Sequence, residues 1–122
     1  MAGETRIVVH TVTDVTVVTF QDRSLLDAQH IEQIGIELCK LVEKQDRRKL
    51  ILDLDKVVHM SSAALTVLTR LRRLTENAGG SLVLCGLTDE IRRLFDLTGL
   101  QKLFTFADTQ KDALIEMGAT LP

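Results

Sequence analysis

Along this chain the apolar positions alternate between two periods, short β-branched or continuous runs giving way repeatedly to stretches spaced by three and four. Thr5 to Thr11 and Val15 to Gln21 are β-branched runs separated by Val12-Thr13-Asp14, which predicts two antiparallel strands joined as a hairpin. Between Leu26 and Gln45, Ile31, Ile34, Leu38, Leu41 and Val42 fall at helical spacing, with Glu32, Glu37, Lys40 and Glu43 on the remaining faces. An amphipathic helix with one buried stripe follows. Arg47-Arg48-Lys49 then precedes Leu50 to Leu54, whose continuous apolar character suits a strand covered on both faces in the middle of the sheet.

From Ser62 onward Ala64, Val67, Leu68, Leu71 and Leu74 recur at three and four. Ser61 or Ser62 caps this helix, and Asn77-Ala78-Gly79-Gly80 closes it where glycine permits a left-handed residue. Ser81 to Cys85 reads as a further buried strand. Thr88 stands three residues before Ile91 with Asp89 and Glu90 in the first turn, so a third helix begins there and carries Leu94 and Phe95 inward. Leu103 to Phe106 adds a last short strand, and Thr109 to Met117 a closing helix before Gly118. The expected fold is α/β: a mixed central sheet of four to five strands with about four helices, antiparallel at its start and continued through right-handed crossovers.

The chain has 122 residues, 45% of them hydrophobic, and one proline, which fits a single compact domain over residues 1–122. Fifteen basic against seventeen acidic residues leave a formal charge of -2, so no global field draws the chain to nucleic acid or an anionic membrane. With no Trp, no Tyr and four Phe, it also lacks the aromatic platforms that stack bases. No apolar stretch approaches the roughly 20 residues of a membrane span, and MAGETRIVVH lacks a basic region followed by an apolar core, so no membrane insertion and a cytoplasmic location are expected. Cys39 and Cys85 lie far apart without metal-ligand spacing and read as reduced packing residues.

Candidate chemistry concentrates at His59-Met60-Ser61-Ser62-Ala63-Ala64, where a buried strand gives way to a helix. The first turn of a helix has free N–H groups and a positive dipole, so an added phosphate is accommodated there. The plain alternative for either hydroxyl is capping, and one site can be both. A triad of Ser62 with His59 and Asp53 or Asp55 is disfavoured, because two alanines rather than a glycine elbow follow Ser62. His59 reads as an exposed or satisfied residue at a strand end. Asp53 and Asp55 alternate on a strand, one toward a helix N-terminus and the other toward water, and are read as structural; no metal or cofactor site is expected. Gly79-Gly80 belongs to no phosphate-binding motif. Arg70, Arg72 and Arg73 read as the wet side of an amphipathic helix, with docking as the alternative.

From LILDLDKVVHMSSAAL through GGSLVLCGL to EIRRLFDLTGLQKLF, and in the order of elements over nearly its whole length, the chain resembles the STAS domain, most closely the bacterial anti-sigma factor antagonists. The resemblance implies a non-enzymatic protein that, unphosphorylated, binds an anti-sigma factor of the serine kinase type and displaces the sigma factor. Phosphorylation by that kinase ends the interaction, and a PP2C-type phosphatase restores it. Laid on this chain, the family's Asp-Ser-Ser-Gly segment falls on Ser61-Ser62-Ala63-Ala64. Ser62 takes the place of the phosphoacceptor, with Ser61 as second choice, and Ser61, Ser62, Ala63, Thr66 and Arg70 form the implied partner surface. Ser61 stands where the family has aspartate and keeps a capping oxygen; Ala64, in place of glycine, stiffens the first turn and is expected to set a methyl toward the partner. The alternative within the family is an unphosphorylated scaffold or an accessory subunit of a transport or signalling assembly. Oligomeric state stays open, since an edge strand in the starting hairpin can pair or remain free.

Overall fold

Two strands, Ile7–Val12 (β1) and Val15–Phe20 (β2), make the predicted hairpin, antiparallel from Ile7↔Phe20 to Val12↔Val15. The structure is a computed structural model that describes residues 7–119, so the predicted start of the first strand at Thr5 lies outside the described residues. Lys49–Asp53 (β4) pairs parallel with β2, Ser81–Cys85 (β6) parallel with β4, and Thr105–Ala107 (β7) parallel with β6. The sheet order is β1-β2-β4-β6-β7, which puts β4 at the centre, where Leu50, Ile51 and Leu52 are covered on both faces.

Side chains of β2 and β4 alternate between two cores. Val18, Phe20, Leu50 and Leu52 face helices Ala28–Glu43 (α1), Ser62–Asn77 (α2) and Asp89–Thr98 (α3) and pack with Leu38, Leu71, Ile91 and Phe95. Val15, Val17 and Ile51 face the other way, with Val83 and Cys85, and meet Ala113 and Leu114 of the short helix Gln110–Glu116 (α4). The period-two alternation of a strand and the two covered faces together account for the apolar residues Leu50, Ile51 and Leu52, and the one polar residue of the Leu50–Leu54 run, Asp53, is 8% exposed.

Several boundaries differ from the expected ones for local reasons. The first helix starts at Ala28 rather than Leu26, because Asp27 caps it by accepting from the Gln29 N–H at 2.9 Å and the His30 N–H at 3.3 Å. The last strand begins at Thr105 rather than Leu103. Gly99, with φ 74°, ends α3, and the chain then takes a 3-10 turn, Leu100–Leu103, whose final carbonyl accepts a hydrogen bond from the Arg72 guanidinium. Two strands of two residues each were not anticipated: Ser24–Leu25 (β3) and His59–Met60 (β5) pair parallel in a separate small sheet.

Candidate functional site

The small sheet aims the start of α2. Val58 and His59 both donate their N–H to the Arg23 carbonyl, at 2.7 and 3.0 Å, and the Ser61 N–H donates to the Leu25 carbonyl at 3.0 Å. These bonds hold Ser61 in extended backbone, φ -88° and ψ 169°, so it is the cap and Ser62 is the first helical residue. From α3, the Thr88 hydroxyl donates to the Val57 carbonyl at 3.0 Å while capping its own helix through the Ile91 N–H. The strand-to-helix junction is thus tied on both sides to rigid elements.

The two serines have different surroundings. Ser61 is half-buried and its Oγ accepts from the Ala64 N–H at 3.4 Å. Ser62 is exposed and its Oγ makes no hydrogen bond among the described residues. Ser61→Ala is expected to lower stability by about 1 kcal/mol through loss of the cap, and Ser62→Ala by less than about 0.5 kcal/mol. Urea unfolding of the two variants checks this, and the reverse ranking would refute the division of roles.

Ser62, Thr66 and Arg70 follow one another at four-residue spacing and are exposed, so they share one face of α2; Ala63 is exposed beside them at the helix tip. Ala64 is 4% exposed and belongs to the core under α1 and α2, so its methyl does not face a partner, contrary to expectation. The arginines also separate. Arg72 turns from Arg70 and Arg73, pairs with Glu76 at 3.0 Å and holds the 3-10 turn through Leu103. Arg70 and Arg73 remain on the Ser62 face, along an open groove of about 400 Å³ whose apolar lining is Leu65 and, from the 3-10 turn, Leu100.

The disfavoured triad is not assembled. Asp53 points to the α4 side of the sheet, where its carboxylate accepts from the Asp55 N–H at 3.1 Å and from Gln110 Nε2 at 2.9 Å. Only Asp53 lies on the strand; Asp55 sits in the turn beyond it, so the expected alternation ends at β4. Burial and the neighbouring Asp53 carboxylate raise the Asp55 carboxyl above its ordinary value. His59 is exposed on β5 opposite Ser24, and no hydrogen bond joins it to Ser62 among the described residues. Burial raises the Cys39 thiol and, with the Asp53 and Asp55 charges adding, pushes Cys85 up to about 12, so neither is an activated nucleophile. Among the described residues no group of three or more His, Cys, Asp or Glu is placed to hold a metal ion, and no helix is long and apolar enough to cross a membrane.

The part of the site that sequence reasoning missed is the β3–β5 ladder. Its one trace is the pair Ser24-Leu25: Ser24 is exposed and Leu25 is 4% exposed, the out-and-in step of a strand too short to register as a run.

The family model for the STAS domain matches residues 6–113. BtrV of Bordetella bronchiseptica, which carries a provisional name as an anti-sigma factor antagonist, is 30% identical over 100 residues, spanning 82% of this chain and 85% of its own. An anti-sigma factor antagonist (STAS) domain protein from Planctomyces limnophilus superposes with a TM-score of 0.81 at 23% identity, covering 91% of this chain and 96% of its own. The Bacillus cell fate determinant SpoIIAA in its phosphorylated form superposes with a TM-score of 0.71 at 20% identity, over 91% of this chain and 98% of its own. A match over residues 6–113, on a five-stranded mixed sheet with the order found here, makes this chain a member of the STAS domain family, a regulatory fold and not an enzyme.

Proposed function

We propose that this chain is a cytoplasmic anti-sigma factor antagonist switched by phosphorylation of Ser62. Unmodified, it binds an anti-sigma factor that is also a serine kinase of the histidine-kinase-like ATPase type, and the sigma factor is released. The kinase then transfers the γ-phosphoryl group of ATP to Ser62 Oγ; the hydroxyl proton leaves and ADP is the product. A PP2C-type phosphatase hydrolyses the phosphoserine and returns the hydroxyl. The names of BtrV and of an anti-sigma F factor antagonist from Paenibacillus polymyxa, 24% identical over 92 residues, support the class.

The observation that carries the reading is the division of the two hydroxyls. Ser61 caps α2, so modifying Ser62 breaks no hydrogen bond of the fold. No acidic residue occupies the first turn of α2, and a phosphate on Ser62 therefore meets the positive end of the helix without a like charge in that turn. A phosphoserine adds about -1.5 to -2 charge to the surface, and a partner that docks on that surface loses affinity while the domain stays folded. Ser61, a half-buried cap, is the poorer acceptor on the same geometry.

The test is incubation with the co-purifying ATPase-fold kinase and ATP, with modification mapped by mass spectrometry. Phosphate is expected on Ser62 and absent from Ser62→Ala, and the modified protein is expected to leave the kinase. Stable kinase binding with neither Ser62 nor Ser61 modified overturns the switch. Co-purification with a membrane transporter or a large homomeric assembly instead identifies a scaffold in which Ser62 has no regulatory part.

A further inference from the structure

We infer that the groove running along α2 from Ser62 to Arg73 receives an acidic segment of the partner, an inference that rests on the proposed function and adds the chemistry of what docks. The groove has an apolar floor, Leu65 with Leu100, and a cationic far end, Arg70 with Arg73. No carboxylate lines it. Both arginines are exposed, and among the described residues neither has a carboxylate within ion-pair distance; the other arginine of this stretch, Arg72, is satisfied by Glu76 on the opposite flank. The hydroxyl of Thr66 donates to the Ser62 carbonyl at 3.0 Å and that of Thr69 to the Leu65 carbonyl at 2.9 Å, so the polar groups the groove offers a ligand are the guanidinium groups at one end and the Ser62 hydroxyl at the other.

Two unpaired guanidinium groups beside apolar surface match carboxylates on an otherwise apolar segment, since the planar fork binds a carboxylate through paired N–H donors. Eleven residue steps from Ser62 to Arg73 span about 16 Å, the length of roughly three helical turns or five extended residues of such a segment. The same distances define how phosphorylation acts. Ser62 lies about 12 Å along the helix axis from Arg70, beyond the Debye length of about 8 Å at physiological salt, so a phosphate does not neutralise the arginines. It meets the docked acidic segment at the opposite end of the groove and repels it there.

The experiment titrates the co-purifying ATPase-fold kinase into wild type, Arg70→Glu and Arg73→Glu by calorimetry at low and physiological salt, and follows Ser62 phosphorylation in parallel. Each reversal is expected to weaken binding by about tenfold or more, to flatten its salt dependence, and to be rescued by a lysine at one acidic position of the kinase. Binding within about twofold of wild type for both variants, with Ser62 still phosphorylated, overturns the groove while leaving the switch in place. Self-association of the chain that Arg73→Glu abolishes overturns it in favour of a second copy as occupant. Failure of any ATPase-fold kinase to bind or modify the wild type overturns both.

Discussion

Gly80→Ala is expected to lower stability by about 3 kcal/mol, a large fraction of what a domain of this size possesses. A Cβ at this position would sit 2.9 Å from the Arg48 carbonyl carbon, 3.0 Å from Arg48 Cα and closer still to the Arg48 oxygen, all main-chain atoms that no rotamer change can move. That carbonyl is also the acceptor for the Ser81 N–H at 2.7 Å, the contact that opens the β4–β6 register at Lys49↔Ser81. An added methyl therefore pushes apart the two central strands at their first pair and strains the Gly80 N–H bond to the Thr75 carbonyl. Overpacking against backbone costs about 1–3 kcal/mol, and a lost buried hydrogen bond about 1 kcal/mol more. Gly79 supplies the control: it has φ +76° and nothing within 4 Å of a Cβ, so Gly79→Ala carries only the left-handed penalty, about 1 kcal/mol. Urea midpoints at unchanged slope measure both, and equal costs at the two positions would defeat the argument.

That pair of glycines also shows where sequence stops being informative. The left-handed closure of α2 is local chemistry, and Asn77-Ala78-Gly79 announces it. The need for glycine at position 80 arises from a carbonyl 32 positions earlier and has no local sign. The same division holds elsewhere. Leu50 to Leu54 could be placed at the centre of the sheet because a strand buried on both faces cannot alternate, and Thr88 could be placed as a cap because its hydroxyl, its acids and its first apolar residue stand in fixed order. Ser61 and Ser62 could not be told apart as caps. Either residue type serves, and the choice is made by the Leu25 carbonyl, which takes the Ser61 N–H and keeps that residue extended. Arg70, Arg72 and Arg73 likewise read as one basic cluster. The position of the 3-10 turn against α2 separates Arg72 from the other two, and a turn of four residues has no periodicity to announce it.

Phe95→Ala is expected to cost about 3–5 kcal/mol and to loosen β7 before the junction at Ser62. Phe95 is 1% exposed and holds edge-to-face contacts with Phe104, centroids 5.4 Å apart, and Phe106, 5.5 Å apart. Each such pair contributes about 0.5–1.5 kcal/mol beyond its buried area, and truncation leaves a cavity the two remaining rings cannot fill. The three-residue β7 reaches this core through Phe106 and so depends on the cluster, whereas α4 is anchored on the other face of the sheet through Ala113, Leu114 and Met117. The start of α2 is anchored differently, through β3, β5 and the hydrogen bond from Thr88. Hydrogen exchange in Phe95→Ala is therefore expected to accelerate first in β7, while the amides of β2 and β4 exchange only with global unfolding. Phe95→Leu, which keeps most of the volume and removes the ring pairs, should retain more than half of the lost stability. Uniform acceleration across the sheet would show instead that the aromatic cluster and the central strands open as one unit, and the separate support claimed for the Ser62 junction would fall with it.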